Sequence, residues 1–296
     1  MKSIINGNTS VYALVGNPSR HSMSALIHNY LFSKYKINAV YLIFEIEKKD
    51  LEIFFKFAKS SQIKGFNITM PFKTDSLNFI DSFSKEAEII KSVNTVNLDI
   101  KRKKFIGFNT DADGFIKCLD EKHFDWENKE CLIFGAGGAA RSCLYSLIMK
   151  KTKHIYICNR SKEKALNLIK YFSENTGFNN ITLIEDIDDI KNIYDNISLV
   201  VNSTSIGMKK DTYGIEDIGT PLHKELSLKG KIVFEMVYNP VNTQLIKKAK
   251  EEKAVIINGI DMLVCQAAYS FEKWTSIYPD NKYLIYLKNY IKNSIK

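Results

Sequence analysis

Short apolar runs alternating with amphipathic stretches constrain this chain more than any other feature. "VYALVG", "AVYLIFEI" and "GFNITM" read as strands, with "SALIHNYLFSKY" and "DLEIFFKFAKS" between them as helices. That is the rhythm of an α/β protein with largely parallel sheets, because parallel neighbours need a crossover connection, usually a helix. "SVNTVNLDI" and "FIGFNTD", on either side of "KRKK" at 101–104, alternate like the two strands of a hairpin. A helix near residues 111–124 follows, and the polar "HFDWENKE" reads as a linker. The rhythm then resumes with strand "CLIF", helix 138–150, strand "HIYIC", helix 161–174, strands "ITLIE", "SLVVN" and "KIVFEMV", helix 242–252 and strand "AVIIN". Ile260, Leu263, Val264, Ala267, Ala268, Phe271 and Trp274 recur at helical spacing, so a long amphipathic helix closes the pattern, with Gln266 on a neighbouring face. At 296 residues the chain suits two domains. The expected divisions are residues 1–111, 112–258 and a closing helical segment, 259–296.

Composition excludes several classes. Hydrophobic residues at 45% and charged residues at 25% are ordinary for a globular protein, and no apolar run approaches the roughly 20 residues of a membrane helix. The start, "MKSIINGNTSVYALVG", lacks the sustained apolar core of a signal peptide, so a cytoplasmic protein is expected. Five widely spaced cysteines contain no C-x-x-C pair and the five histidines no H-x-x-x-H spacing, so neither a disulfide framework nor a metal site is expected. The net charge of +9 comes from 42 basic residues, only four of them arginine, spread along the chain. It reads as a general field that attracts small acidic substrates, with no nucleic-acid or membrane partner. A monomer or homodimer is expected.

"CLIFGAGGAARSCLYSL" places Gly135-x-Gly137-x-x-Ala140 between an apolar strand and a helix. This is the dinucleotide fingerprint, in which glycines let the backbone approach a pyrophosphate and the helix N-terminus supplies N–H groups and partial positive charge. Gly135, Ala136, Gly137, Gly138 and Ala139 are the candidate phosphate contacts. At the end of the next strand, where an NAD binder carries an acid, "IYICNRSKEKA" offers Asn159, Arg160, Ser161 and, one turn on, Lys164. A guanidinium binds a 2′-phosphate that a carboxylate would repel, which favours NADP by about ten- to several-hundredfold. Ser161 could equally serve as a helix cap with the basic residues merely solvated.

In "GFNITMPFKTDSL", Pro71 suits the first position of a helix, which would put Lys73 in the first turn, where a cation opposes the helix dipole. A local rule broken without visible gain tends to mark function. Asp111 in "NTDADGF" reads as a helix cap, and Ser22 or Ser24 could cap the helix "SALIHNYLF".

Taken together, "GNPSRHSMSALIHN", "GFNITMPFK", "SVNTV", "GFNTDADGF", "GAGGAAR", "NR", "VNSTSIGM", "VYNPVNTQLI" and "NGIDMLVCQAAYSFEKWT" closely resemble the shikimate dehydrogenase family, in order and spacing, along almost the whole chain. The resemblance implies an α/β substrate domain, a Rossmann-type NADP-binding domain and C-terminal helices that return to the first domain. It implies reversible hydride transfer between NADPH and 3-dehydroshikimate, with Lys73 and Asp111 as the catalytic pair. Ser22 and Ser24 would then bind the substrate carboxylate, Thr69, Asn94 and Gln266 its hydroxyls, and Tyr238 would be a substrate-side tyrosine. Thr204, Met208 and Gly259 would lie on the nicotinamide side. The chain departs from the family pattern at Ala25 (usually proline), Ser92 (usually alanine), Lys164 (commonly arginine) and Asp261 (usually small). Lys164 could weaken the NADP preference, because an ammonium cannot grip phosphate bidentately. A quinate/shikimate dehydrogenase with broader substrate or NAD use, and a non-catalytic NADP-binding regulator, are the alternatives.

Overall fold

The apolar runs become two six-stranded sheets, one in each of two units of a computed structural model that describes residues 5–208 and 219–295. One unit runs to Gly114 and takes in Val264–Ile291; the other holds Phe115–Leu263 and the residues after Ile291. Among the described residues no helix is long and apolar enough to cross a membrane.

The first unit contains β1 (Ser10–Gly16), α1 (Ser24–Lys34), β2 (Ala39–Glu45), α2 (Leu51–Ser60), β3 (Ile63–Ile68), β4 (Ser82–Phe83), α3 (Lys85–Ile90), β5 (Thr95–Asp99) and β6 (Lys104–Phe108). The strand order is β2-β1-β3-β5-β6-β4. β2, β1 and β3 are parallel, while β5 and β6 are the antiparallel hairpin with "KRKK" at its turn. Phe54 and Phe55 of α2 meet Phe66 of β3 edge to face at ring separations of 5.1 and 5.3 Å, and Phe105 of β6 closes the cluster. Rings packed edge to face add to their area burial, and aliphatic side chains such as Leu51, Ile63 and Val96 fill the rest of this core.

A second cluster joins Phe32, Tyr41 and His28 to Phe271 and Trp274 of the closing helix. The Trp274 indole donates to the Val96 carbonyl at 3.0 Å and lies directly over Gly65, where a Cβ would come within 2.5 Å of the ring nitrogen. Glycine in β3 is therefore a condition for seating the helix. His28 is fully buried against Tyr41; Asn67 lies beside its ring, yet neither ring nitrogen makes a hydrogen bond of normal geometry. Burial pushes this imidazole down to about 3.

The second unit contains β7 (Glu130–Phe134), α5 (Gly138–Met149), β8 (His154–Cys158), α6 (Lys162–Thr176), β9 (Ile181–Ile184), α7 (Ile187–Ile193), β10 (Ile197–Asn202), β11 (Ile232–Glu235), α8 (Gln244–Glu251) and β12 (Val255–Ile257). All its pairings are parallel, in the order β12-β11-β10-β7-β8-β9. The chain leaves β7 toward β9 and returns to β10 on the other side of β7. That reversal is the switch point at which doubly wound sheets bind ligands. Helices α4 (Thr110–Asp120) and α9 (Gly259–Thr275) each contribute residues to both units, and α10 (Asn281–Ser294) ends the chain.

Two expectations need correction. Lys73 is not in the first turn of an α-helix: Met70–Pro71 is a cis bond, residues 71–74 form turns, and a short 3₁₀ stretch covers Asp75–Phe79. The helix-dipole argument for Lys73 therefore fails. In addition, α7 stands between "ITLIE" and "SLVVN", which read as consecutive strands.

Replacing Gly65 with Ala should lower stability by about 1 to 3 kcal/mol in urea unfolding, the usual effect of overpacking. The control Gly7→Ala, with no atom within 4 Å of the added methyl, should leave it within about 0.5 kcal/mol. Equal midpoints for both would show that Trp274 yields freely. For His28, the folded value lies below the unfolded one, so its contribution is complete above about pH 6.5 and drains away as pH falls toward about 3. His28→Leu should therefore lose less stability than wild type between pH 6.5 and 4, by up to about 3 kcal/mol. Parallel stability curves for the two proteins would refute that account.

Candidate active site

In the first unit the strand ends gather the polar residues. Gly16, the last residue of β1, is bare because a Cβ there would sit 2.1 Å from Thr69 Cγ2, and Thr69 continues the β3 line by donating its N–H to the Val15 carbonyl. Beyond Thr69 the turn is anchored by Phe72, almost wholly buried, and by the Val93 N–H, which donates to the Lys73 carbonyl at 2.9 Å. Lys73 is thereby aimed by packing and backbone pairing on both sides.

Its ammonium lies 2.6 Å from Asp111 Oδ2, with the two side chains 18% and 10% exposed. Asp111 is in the first turn of α4, where the helix dipole favours a carboxylate. It is not the cap: Asn109 accepts from the Ala112 N–H through its side-chain oxygen, which leaves Asp111 free for other work. The second Asp111 oxygen accepts from Asn94 Nδ2 at 2.9 Å, and the same amide nitrogen reaches Gln266 Oε1 at 3.3 Å. Asn94 can adopt only one orientation, because its own Oδ1 accepts from the Thr110 N–H at 2.7 Å. Lys73, Asn94, Asp111 and Gln266 are thus one hydrogen-bonded cluster.

Ser22 and Ser24 form a pair of their own, with hydroxyls 3.0 Å apart. Neither is the N-cap of α1, which is Met23 with no side-chain cap, although Ser22 Oγ accepts from the Ser24 N–H. Ser24 also reaches the fully buried Tyr41, whose phenol burial pushes well up and which donates to Asn67 Oδ1 at 2.8 Å. Beneath both groups lies a layer that the sequence reading did not single out. Thr95, Thr110 and Ser270 place their hydroxyls 2.8 to 3.0 Å apart, and Asn67 donates to Thr95 and Ser270. Ser270 did carry a signal: it lies four residues after Gln266 in an apolar stripe, and its hydroxyl donates to the Gln266 carbonyl.

In the second unit β7 is followed by Gly135, whose φ of +115° and whose closeness to Ser203 both exclude a side chain: a Cβ would lie 2.6 Å from Ser203 Oγ. Gly137 is the N-cap of α5 and has no atom within 4 Å of where its Cβ would be. No side chain caps α5 and no acid stands in its first turn, so the helix begins next to bare backbone and open space at Gly137. That opening fits a pyrophosphate.

At the end of β8, Asn159 donates to the Ser161 carbonyl, and Ser161 caps α6 by accepting from the Lys164 N–H. Arg160 and Lys164 are exposed, and among the described residues Arg160 makes no ion pair. A guanidinium left unpaired beside a capped helix start suits a phosphate on the ribose. On the far side of the switch point, Thr204 donates to Asn202 Oδ1 at 2.7 Å and Met208 to the Ser205 carbonyl. Gly259 begins α9 so close to the Val237–Tyr238 turn that a Cβ would lie 2.6 Å from the Val237 carbonyl. Thr204, Met208, Tyr238 and Gly259 thus lie in neighbouring segments of the second unit, whereas every substrate candidate other than Tyr238 is in the first. Asp261 is part of a reciprocal cap of α9, accepting from the Asn258 N–H while Asn258 accepts from the Ile260 and Asp261 N–H groups.

Three family patterns match the chain. They are the shikimate dehydrogenase substrate binding domain over residues 14–96, shikimate / quinate 5-dehydrogenase over 118–211 and the shikimate 5′-dehydrogenase C-terminal domain over 259–283. Shikimate dehydrogenase (NADP(+)) of Caldanaerobacter subterraneus subsp. tengcongensis is 34% identical over 281 residues, covering 95% of this chain and 96% of that one. A shikimate dehydrogenase solved in complex with NADP+ superposes with a TM-score of 0.88 at 32% identity, over 100% of this chain and 99% of that one. The Listeria monocytogenes shikimate 5-dehydrogenase, solved with shikimate and NAD, gives 0.85 at 30% identity, over 97% and 98%. With sequence similarity and fold agreeing from end to end, the chain belongs to the shikimate dehydrogenase family.

Proposed function

We propose that the protein is an NADP-dependent shikimate dehydrogenase, an oxidoreductase that reversibly reduces 3-dehydroshikimate to shikimate in chorismate and aromatic amino-acid biosynthesis. The observation that carries this reading is the Lys73–Asp111 ion pair at 2.6 Å, largely sheltered from solvent and braced by Asn94.

Reduction of the ketone needs a hydride at carbon and a proton at oxygen. NADPH, when bound, supplies the hydride. Lys73 stabilises the negative charge that develops on the carbonyl oxygen and delivers the proton, a contribution of about 10² to 10⁴ in rate. Asp111 holds the ammonium in place through one oxygen and accepts from a ring hydroxyl. Asn94 and Gln266 carry amide groups suited to hydroxyls, as does Thr69, and the Ser22–Ser24 pair beside the uncapped start of α1 suits the substrate carboxylate. Tyr238 is the substrate-side contribution of the second unit. Gly135, Ala136, Gly137, Gly138 and Ala139 hold the pyrophosphate, and Asn159, Arg160, Ser161 and Lys164 the ribose phosphate. Thr204, Met208 and Gly259 line the nicotinamide side. A cytoplasmic monomer or homodimer, with no nucleic-acid partner, accompanies this reading.

A second reading, broader cofactor use, is favoured by one observation. Lys164 replaces a fork with a point charge, and Arg160 is then the only guanidinium of the set. Rates measured with shikimate or quinate against NADP+ or NAD+ separate the two readings.

Lys73→Ala should cut shikimate-dependent NADP+ reduction by about 10² or more with NADP+ affinity nearly intact. Turnover within about threefold of wild type would remove Lys73 from the mechanism. Arg160→Ala should narrow the NADP+ over NAD+ preference in kcat/KM by about tenfold or more; an unchanged ratio would show that the phosphate is read elsewhere.

A further inference from the structure

Glu235, the last residue of β11, has none of its surface exposed. A carboxylate so placed is costly unless it is paired or fully hydrogen-bonded, and among the described residues no lysine or arginine meets it. Its partners are three segments of chain. Oε1 accepts from Asn202 Nδ2 at 2.9 Å and from the Val237 N–H at 2.9 Å, and Oε2 accepts from the Thr243 hydroxyl at 2.9 Å.

Each partner governs a stretch assigned above to the nicotinamide side or to the substrate-side Tyr238 next to it. Asn202 folds the loop that follows β10: its Nδ2 also donates to the Ile206 carbonyl, and its Oδ1 accepts from both the N–H and the hydroxyl of Thr204. Val237 precedes Tyr238, and its carbonyl is the group against which Gly259 is pressed. Thr243 caps α8 by accepting from the Ile246 N–H, and its methyl faces Gly207, whose φ of +98° ends the Thr204 loop just before Met208. Thr204 and Met208, Tyr238, and Gly259 come from three stretches of the sequence, and one carboxyl ties their supports together.

We propose that Glu235 is a positioning residue that holds the nicotinamide-side wall of the cofactor site as one rigid piece. This rests on the dehydrogenase reading above. The required contacts are hydrogen bonds rather than charge. Burial pushes Glu235 up to about 7, and a protonated carboxyl would still accept at Oε1 while donating from Oε2 to Thr243. Glutamine reproduces that arrangement, with its amide nitrogen in the place of Oε2.

The test compares two ligands by calorimetry, NADP+ and adenosine 2′,5′-bisphosphate, which lacks the nicotinamide half. In Glu235→Ala the bisphosphate should bind within about twofold of wild type, NADP+ should bind about tenfold more weakly, and kcat for shikimate oxidation should fall by about 30-fold or more. Glu235→Gln should stay within about threefold of wild type in all three. Equal weakening of both ligands, or of neither, would overturn the proposal, as would a glutamine variant as impaired as the alanine one. If Glu235→Ala does not fold, Thr243→Val decides: it removes the Glu235 contact together with the α8 cap and keeps the methyl, and an unchanged ratio of the two affinities overturns the proposal. The binding ratio needs no turnover, so a wild-type protein inactive on shikimate would sink the proposed function and still leave Glu235 tested.

Discussion

Asn94 cannot turn over, and the candidate catalytic cluster depends on that. Its side-chain oxygen is claimed by the Thr110 N–H, a group that can only donate, so the amide nitrogen must face Asp111. With that nitrogen on one oxygen and Lys73 on the other, both Asp111 oxygens have fixed donors. Taking an ammonium and a carboxylate this far out of water is costly unless the remaining lone pairs are met, and the amide meets one of them. Thr110 is itself held by the hydroxyls of Thr95 and Ser270, which come from β5 and from α9. A residue of the closing helix thus helps to set the geometry of a pair whose members are 38 positions apart in the chain.

Both units use the same device at their strand ends. Where a strand stops, a glycine removes the Cβ that would keep the next segment away, and a helix begins without a side-chain cap. In the first unit Gly16 admits Thr69 and α1 starts uncapped beside Ser22 and Ser24. In the second, Gly135 admits Ser203 and α5 starts uncapped at Gly137. Open N–H groups at a helix start favour an anion. On the proposed function, one unit would receive a carboxylate and the other a pyrophosphate by the same physics, without a cluster of lysines in either place. The overall positive charge is correspondingly diffuse.

Much of this was legible in the sequence, and the failures have identifiable causes. Strand and helix periods placed every main strand, because period-two and period-3.6 patterns are local. Helix α7 escaped because seven residues are too few for a periodic signal; its one strong mark was Asp186, which accepts from the N–H groups of Asp188 and Asp189. The significance of Lys73 was suspected for a reason that does not hold, since a turn and not a helix carries it. What aims Lys73 is the buried Phe72 next to it and the pairing of its carbonyl with Val93, a residue 20 positions away that no local rule connects to it. The Glu235 contacts were invisible for the same reason, as was the joining of the Ser270 hydroxyl to those of Thr95 and Thr110. Each is assembled from segments that only the fold brings together.

The departures from the family pattern are best judged by what each residue now does. Ala25 stands in the first turn of α1, where proline would be tolerated only because the N–H there lacks an intrahelical acceptor, so alanine forfeits nothing in hydrogen bonding. Asp261 looked more troubling, since an extra acid at the nicotinamide side would disturb a cofactor's fit. Its carboxylate is instead turned back onto the Asn258 N–H, at the helix end where negative charge is stabilised. The acid is thereby engaged by its own helix, and bare backbone is kept two residues earlier, at Gly259, where the Val237 carbonyl leaves no room for any side chain at all.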